Sequence, residues 1–177
     1  MNKSNIWSIA ISDTNIFVGI DFTNGGGVFL SNNNGNSWTA VNNGLTNNFV
    51  YSLVISDSNI FAGTLGGGVF LSSNNGTNWS AVNNGLTSLN VFSLTTNGTT
   101  IFATTNDGVF YTANNGTSWI PFNSGLTNPL VRSLAISGSS IFAGTAGNGV
   151  WIRPLSQVVG IKNNEFNTIF PIPKSIN

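Results

Sequence analysis

Residues 31–38 read Ser-Asn-Asn-Asn-Gly-Asn-Ser-Trp, and close copies of this stretch stand at 72–79 and 112–119. The tryptophans that end the three copies are 41 and then 40 residues apart. Self-similarity at a fixed period of this length is typical of repeat architectures. The Asn-Gly pair in each copy suits the positive φ angles of a tight turn between two strands. The stretch therefore predicts a strand–turn–strand unit that recurs along the chain.

Other short apolar segments of the sequence recur with the same period. Each repeat opens on a run rich in β-branched and apolar residues, which begins at Trp7, Tyr51, Phe92 and Arg132. An Ile-Phe pair and then a Gly-Val-aromatic run follow in every copy. Four short strands joined by Gly/Asn turns predict an antiparallel meander, and such a meander must stack on neighbouring sheets to bury its faces. We therefore predict an all-β fold, a β-propeller or part of one, with about 3.75 blades.

The predicted propeller occupies residues 1–155. Its repeats are 1–46, 47–87, 88–127 and an incomplete fourth, 128–155. Residues 156–177 are expected to form a linker and the start of a tail. Since propeller rings commonly have about 4–8 blades, three alternatives for closure stay open. They are a strained four-blade ring, a homodimer, or missing upstream blades of a longer protein, and a truncated gene product is the interpretation we favour.

Composition excludes several functions. Only 6% of residues are charged and the formal net charge is zero, which leaves no basic surface for nucleic acid or for an anionic membrane. The sequence has no Cys and no His, so thiolate chemistry and Cys- or His-based metal sites are absent. Its Asn-rich turns lack the carboxylates on which calcium sites depend. We expect no nucleic-acid partner, no membrane span, no metal and no cofactor.

The repeated turn resembles the Asp-box, or bacterial neuraminidase repeat, whose pattern is Ser-x-Asp-x-Gly-x-Thr-Trp. The matching positions here are Ser31, Asn33, Gly35 and Trp38, then Ser72, Asn74, Gly76 and Trp79, then Thr112, Asn114, Gly116 and Trp119. An Asn side chain replaces the aspartate in all three copies, and it can still accept the hydrogen bonds of an Asx-type turn. The resemblance implies a propeller of the sialidase, sortilin and photosystem II assembly factor type. It also implies a structural role for these twelve residues.

Catalysis is not expected. A sialidase-like site needs three arginines with a tyrosine and a carboxylate, and this chain has only Arg132 and Arg153. Asp13, Asp57 and Asp107 stand at turn positions, where a structural role is the better interpretation. A glycosidase pair needs two carboxylates about 5–9.5 Å apart, and no spacing in the sequence brings two together. We predict that the protein is not an enzyme.

A binding surface is the remaining prediction. If the first strand of each repeat lines the channel, its leading residue varies as Trp7, Tyr51, Phe92 and Arg132, and variation at one repeated place is typical of a ligand-facing position. Asp21 and Phe22, in an irregular connection, join them as candidates. The competing interpretation of the four leading residues is that they are core residues near a strand end. We predict a non-enzymatic binding scaffold for glycan or protein. The alternatives are a non-catalytic fragment of a larger sialidase-like or other glycan-active enzyme, and a structural stalk or adhesin segment.

The tail carries a second resemblance. Residues 163–175 resemble the opening of the C-terminal sorting domain of type IX secretion cargo, with Phe170-Pro171-Ile172-Pro173 in place of the Tyr-Pro-Asn-Pro-Ser-like segment. The resemblance implies a secreted or surface-attached protein of a Bacteroidetes-like bacterium. No signal peptide is visible before the first predicted strand.

Overall fold

The computed structural model describes residues 5–21 and 25–158. Its strands are β1 (Ile6–Ser12), β2 (Asn15–Ile20), β3 (Gly27–Ser31), β4 (Thr39–Ala40), β5 (Val50–Ser56), β6 (Asn59–Thr64), β7 (Gly68–Ser72), β8 (Ser80–Ala81), β9 (Ser93–Asn97), β10 (Thr100–Thr105), β11 (Gly108–Thr112), β12 (Ile120–Pro121), β13 (Val131–Ser137), β14 (Ser140–Thr145) and β15 (Val150–Pro154). A single turn of 3-10 helix, Leu155–Gln157, follows β15. No helix in the described ranges is long and apolar enough to cross a membrane.

The strands form four antiparallel meanders. Sheet 1 has the order β1-β2-β3-β4, sheet 2 β5-β6-β7-β8 and sheet 3 β9-β10-β11-β12, while sheet 4 is β13-β14-β15. The fourth strand of each complete sheet has only two residues. The prediction of an all-β fold with about 3.75 blades is confirmed, since sheet 4 has three strands among the described residues. Most of the predicted tail lies outside the described residues.

The turns take the backbone conformation that their residues suit. In the first copy Asn34 has φ 56° and Gly35 has φ 83°, and the Asn-Gly pairs of the other two copies have the same signs. The turn after β1 places Asp13 at φ 52°, and the equivalent turn after β5 places Asp57 at φ 53°. Asp tolerates this left-handed region better than most side chains. The conformation of these two turns therefore accounts for the two aspartates.

Each of the first three sheets packs one face on the next sheet in the chain. We call the face that carries Phe17 in sheet 1 the front face, and the face that carries Leu53 in sheet 2 the back face. Phe17 and Val28, both fully buried, meet Leu53 and Ile60 of sheet 2 in one apolar cluster. The same pairing recurs between sheets 2 and 3 and between sheets 3 and 4. Alternating side chains thus give three equivalent inter-sheet cores.

Polar bonds fix the stagger of neighbouring sheets. The backbone N–H of Leu53 donates to Ser8 Oγ at 2.8 Å, and Leu94 donates to Ser52 Oγ at 2.9 Å. On the outer side, the indole N–H of Trp79 donates to the Val41 carbonyl of the preceding sheet at 2.7 Å. Trp119 does the same to Val82 at 2.6 Å. The predicted structural tryptophans of the second and third copies therefore join adjacent sheets.

Candidate functional site

The candidate binding residues stand at one end of the first strand of each sheet. Pairing between β1 and β2 slips at Trp7, so that Ile6 and Ser8 pair but Trp7 does not. The same irregularity falls at Tyr51 in β5 and at Arg132 in β13. A β-bulge releases one residue from the ladder and changes the direction of its side chain. Three of the four predicted positions are thus bulge residues, and Phe92 directly precedes β9.

The four side chains form one continuous row. The ring centroids of Trp7 and Tyr51 are 4.6 Å apart, and those of Tyr51 and Phe92 are 6.2 Å apart in an edge-on arrangement. The Arg132 guanidinium carbon lies 4.2 Å from the centroid of the Phe92 ring. These spacings are typical of favourable aromatic and cation–π contacts. The structure therefore joins residues from four sheets into what we call the aromatic row.

Phe49 adds a fifth member, which is not among the candidate residues that the sequence indicates. Its ring stacks on Tyr51 at 5.0 Å with an interplanar angle of 22°, and it lies 6.4 Å from Trp7. Phe49 and Tyr51 are two residues apart, so an extended backbone directs both to one side. That spacing is the signal by which the sequence could have added Phe49 to the candidate residues.

The row is accessible and carries one charge. Trp7 is 47% exposed and Arg132 is exposed, whereas Phe49, Tyr51 and Phe92 are half-buried. The other arginine, Arg153, lies elsewhere, with its guanidinium carbon 3.8 Å from the centroid of the Phe122 ring and its Nε bonded to Gln157. Burial lowers the pKa of Arg153, an arrangement that suits packing between sheets 3 and 4. The aromatic row therefore offers apolar ring faces with a cation at one end.

The predicted acidic candidate is engaged within the fold. Asp21 is 7% exposed, and its Oδ2 accepts a hydrogen bond from the Asn5 side chain at 2.7 Å. Asp107 accepts a hydrogen bond from the Thr87 hydroxyl at 2.7 Å in a turn. Phe22 lies outside the described residues. In the described ranges no three Asp or Glu side chains cluster closely enough to hold a metal ion.

The three Asn-Gly turns lie at the other end of the sheets. Ser31, which begins the first turn, pairs with Ile16, whereas the row end of the same sheet pairs Gly27 with Ile20. In the third copy Asn114 Oδ1 accepts the Thr112 hydroxyl at 2.8 Å and the Ser118 backbone N–H at 3.0 Å. The other two copies repeat both bonds. The asparagine thus accepts the local hydrogen bonds that its position in the pattern predicts.

Two replacements of Asn114 test whether its side chain stabilises the turn as a hydrogen-bond acceptor. Asn114→Ala removes both acceptor bonds of a solvent-exposed turn, and we expect a loss of about 1 kcal/mol of unfolding free energy. Asn114→Asp keeps an acceptor at the same place, and we expect a change within about 0.5 kcal/mol. Urea unfolding followed by circular dichroism measures both. Equal losses in the two variants would contradict a role as hydrogen-bond acceptor.

Comparison with known proteins finds similarity in structure but not in sequence. No family model matches the sequence, and no curated protein matches it closely. Among solved structures, the computationally designed Ika4 protein aligns with a TM-score of 0.67 at 13% identity over 87% of this chain and 93% of its own. YCF48 bound to D1 peptide aligns at 0.62 and 12% identity over 84% of this chain and 50% of its own. The GH74 xyloglucanase from Xanthomonas campestris aligns at 0.63 and 16% identity, over 86% and 29% respectively.

These similarities identify a β-propeller type of fold and nothing finer, because the identities are low. The chain spans nearly all of the designed protein, half of YCF48 and less than a third of the xyloglucanase. The four stacked meanders agree with a partial propeller.

Proposed function

We propose that this protein is a non-enzymatic scaffold that binds a glycan or a protein segment on its aromatic row. The observation that carries the proposal is the convergence of one repeated position from four successive sheets into a single row of touching side chains. In the first strand of every repeat the next residue is Ser and the one after it is Ile or Leu, whereas this position changes from indole to phenol to phenyl to guanidinium. Aromatic and arginine side chains are also enriched where binding energy concentrates.

Packing alone explains the row less well. A core residue near a strand end would be buried, as Val50, Val91 and Val131 beside these positions are, at 0% exposure. The row members keep part of their surface open to solvent instead. Partly exposed rings in contact provide a rigid apolar surface, and such a surface binds a flat or extended ligand at little cost in conformational entropy.

The proposal also covers catalysis and location. Asp13 and Asp57 occupy left-handed turn positions, and Asp21 is buried beside Asn5, which supports a protein that binds without performing chemistry. We propose a secreted or cell-surface location, supported by the resemblance of residues 163–175 to a sorting tail. A fragment of a larger glycan-active enzyme and a stalk segment are the competing assignments.

A glycan array and a random peptide library, each probed with the purified chain, test the proposal. We expect ligands of one class, and we expect Trp7→Ala and Phe92→Ala each to weaken binding about 10-fold or more, because each removes an aromatic contact worth roughly 1.4 kcal/mol or more. Ile120→Ala is the matched control, since Ile120 is a 43% exposed apolar side chain on β12, the strand of sheet 3 farthest from β9. Isothermal calorimetry measures the affinities.

Arg132→Gln refines the same experiment. If the ligand places an anionic group at this end of the row, the variant should lose affinity and lose most of the salt dependence of binding. The absence of any ligand from both libraries would contradict the proposal and favour the stalk. Binding that survives Trp7→Ala and Phe92→Ala would place the site elsewhere.

A further inference from the structure

One face of the first sheet and one face of the last sheet carry exposed apolar side chains, although Val18 and Ile20 on the sheet 1 face are buried, at 2% and 1% exposure. Val150 on the front face of sheet 4 is 52% exposed, whereas the equivalent Val28, Val69 and Val109 are 0% exposed. Ile9 on the back face of sheet 1 is 60% exposed, whereas the equivalent Leu53 and Leu94 are 4% and 5% exposed. Ile11 and Ile152 extend the two faces. Exposed apolar faces of this kind mark interaction surfaces.

The two faces are the two halves of the interface that the chain already makes three times. Front faces carry a Phe on the second strand and a Val on the third, and sheet 4 supplies Phe142 and Val150 at these places. Back faces carry apolar residues on the first and second strands, and sheet 1 supplies Ile9 and Ile16. Because equivalent residues form the three inter-sheet contacts within the chain, the front face of sheet 4 should fit the back face of sheet 1.

A glycine on the second strand of sheets 1, 2 and 4 leaves a small space, which we call the notch, and the notch makes the contact between successive sheets specific. A Cβ on Gly19 would lie 2.6 Å from Val50 of the next sheet, and a Cβ on Gly63 would lie 2.6 Å from Val91. These valines therefore fill space that the glycines leave. Gly144 is the equivalent glycine of sheet 4, and no residue of another sheet lies near its Cβ position. Ile6, the equivalent of the two valines, is 51% exposed in sheet 1.

The hydrogen bonds follow the same pattern. Ser8 and Ser52 each accept the backbone N–H of the next sheet's leucine. The equivalent serine of sheet 4 is Ser133, which is exposed, and the equivalent N–H of sheet 1 is that of Ile9. The Gly144 position, which only Ser133 of its own sheet approaches, the exposed Ile6 that matches it, and a serine acceptor that matches a backbone N–H all point from sheet 4 to sheet 1.

We propose that two copies of this chain associate head to tail, the front face of sheet 4 in each copy packing on the back face of sheet 1 in the other. In this arrangement Ile6 of one copy fills the notch at Gly144 of the other. The eight sheets of the pair close one ring, a number within the range of about 4–8 blades that propellers commonly have. The inference does not depend on the ligand proposed above.

Light scattering coupled to size exclusion tests the proposal on the full chain with three matched variants. The parent should be a discrete species of twice the 18.6 kDa chain mass. Ile9→Asp and Ile152→Asp should each give a monomer, because each spoils one half of every interface. Ile120→Asp, at an isoleucine of similar exposure on β12, should keep the parent mass.

Mixing the two monomeric variants distinguishes head-to-tail pairing from face-to-same-face pairing. Ile9→Asp keeps an intact sheet 4 face and Ile152→Asp keeps an intact sheet 1 face, so the mixture should form a two-chain species through one interface. A monomeric parent would overturn the proposal and assign the faces to another occupant. An Ile152→Asp variant that stays dimeric would overturn it in favour of pairing between two copies of sheet 1, and open oligomers of the parent would contradict the closed ring.

Discussion

Replacing Trp79 with alanine is expected to lower the free energy of unfolding by about 3–5 kcal/mol, the usual cost of truncating a buried aromatic side chain. The indole is 4% exposed and packs in the core between sheets 1 and 2. Its N–H donates to the Val41 carbonyl of sheet 1, and its backbone N–H donates to the Asn43 carbonyl at 2.9 Å. The alanine variant loses the ring and leaves the Val41 carbonyl without this donor.

Trp38 is the matched control for this prediction. It occupies the same place in the first copy of the turn, but it is half-buried, and its indole N–H donates to the Gly35 carbonyl of its own turn at 3.1 Å. Trp38→Ala should therefore cost less than half as much as Trp79→Ala. Urea unfolding followed by circular dichroism in the Ile152→Asp background keeps self-association out of the comparison. Equal losses would show that the indole acts within its own turn and not between sheets.

These two tryptophans differ in the burial of their rings, which the local sequence does not predict. Their local sequences are nearly the same, and the turns before them have the same φ signs and the same hydrogen bonds. Local chemistry decides those features, so the sequence predicts them correctly. The environment of the ring depends on whether a preceding sheet covers it, and sheet 1 has none before it among the described residues. Tertiary context therefore separates residues that the repeat makes equivalent.

The candidate site was predictable in position but not in geometry. The variable place at the start of each first strand is visible in the sequence, and the structure brings Trp7, Tyr51, Phe92 and Arg132 into contact there. The bulges that release three of these residues from the ladder depend on the register between strands, which apolar patterning does not determine. Ligand binding by the row stays a prediction.

Gly85→Ala is the second change for which we expect a large effect, a loss of about 2–5 kcal/mol of unfolding free energy. Gly85 has φ 92°, a conformation that costs an L-residue with a Cβ about 1–2 kcal/mol. A Cβ would also lie 2.3 Å from the carbonyl oxygen of Trp119 in the next sheet, closer than atoms approach without a shift of the backbone. Overpacking of this kind typically adds about 1–3 kcal/mol.

Gly125 is a control that separates the cost of the positive φ angle from the cost of the steric overlap. It stands at the equivalent place in the third connection and has φ 77°, so alanine there pays a similar conformational cost. Its nearest neighbour to a new Cβ is the Trp151 indole nitrogen at 3.8 Å, an ordinary contact, because sheet 4 has no fourth strand among the described residues. Gly125→Ala should therefore lose only about 1–2 kcal/mol. Equal losses in the two variants would mean that backbone conformation alone accounts for the glycine, whereas a larger loss for Gly85→Ala would locate its role in the close approach of successive sheets.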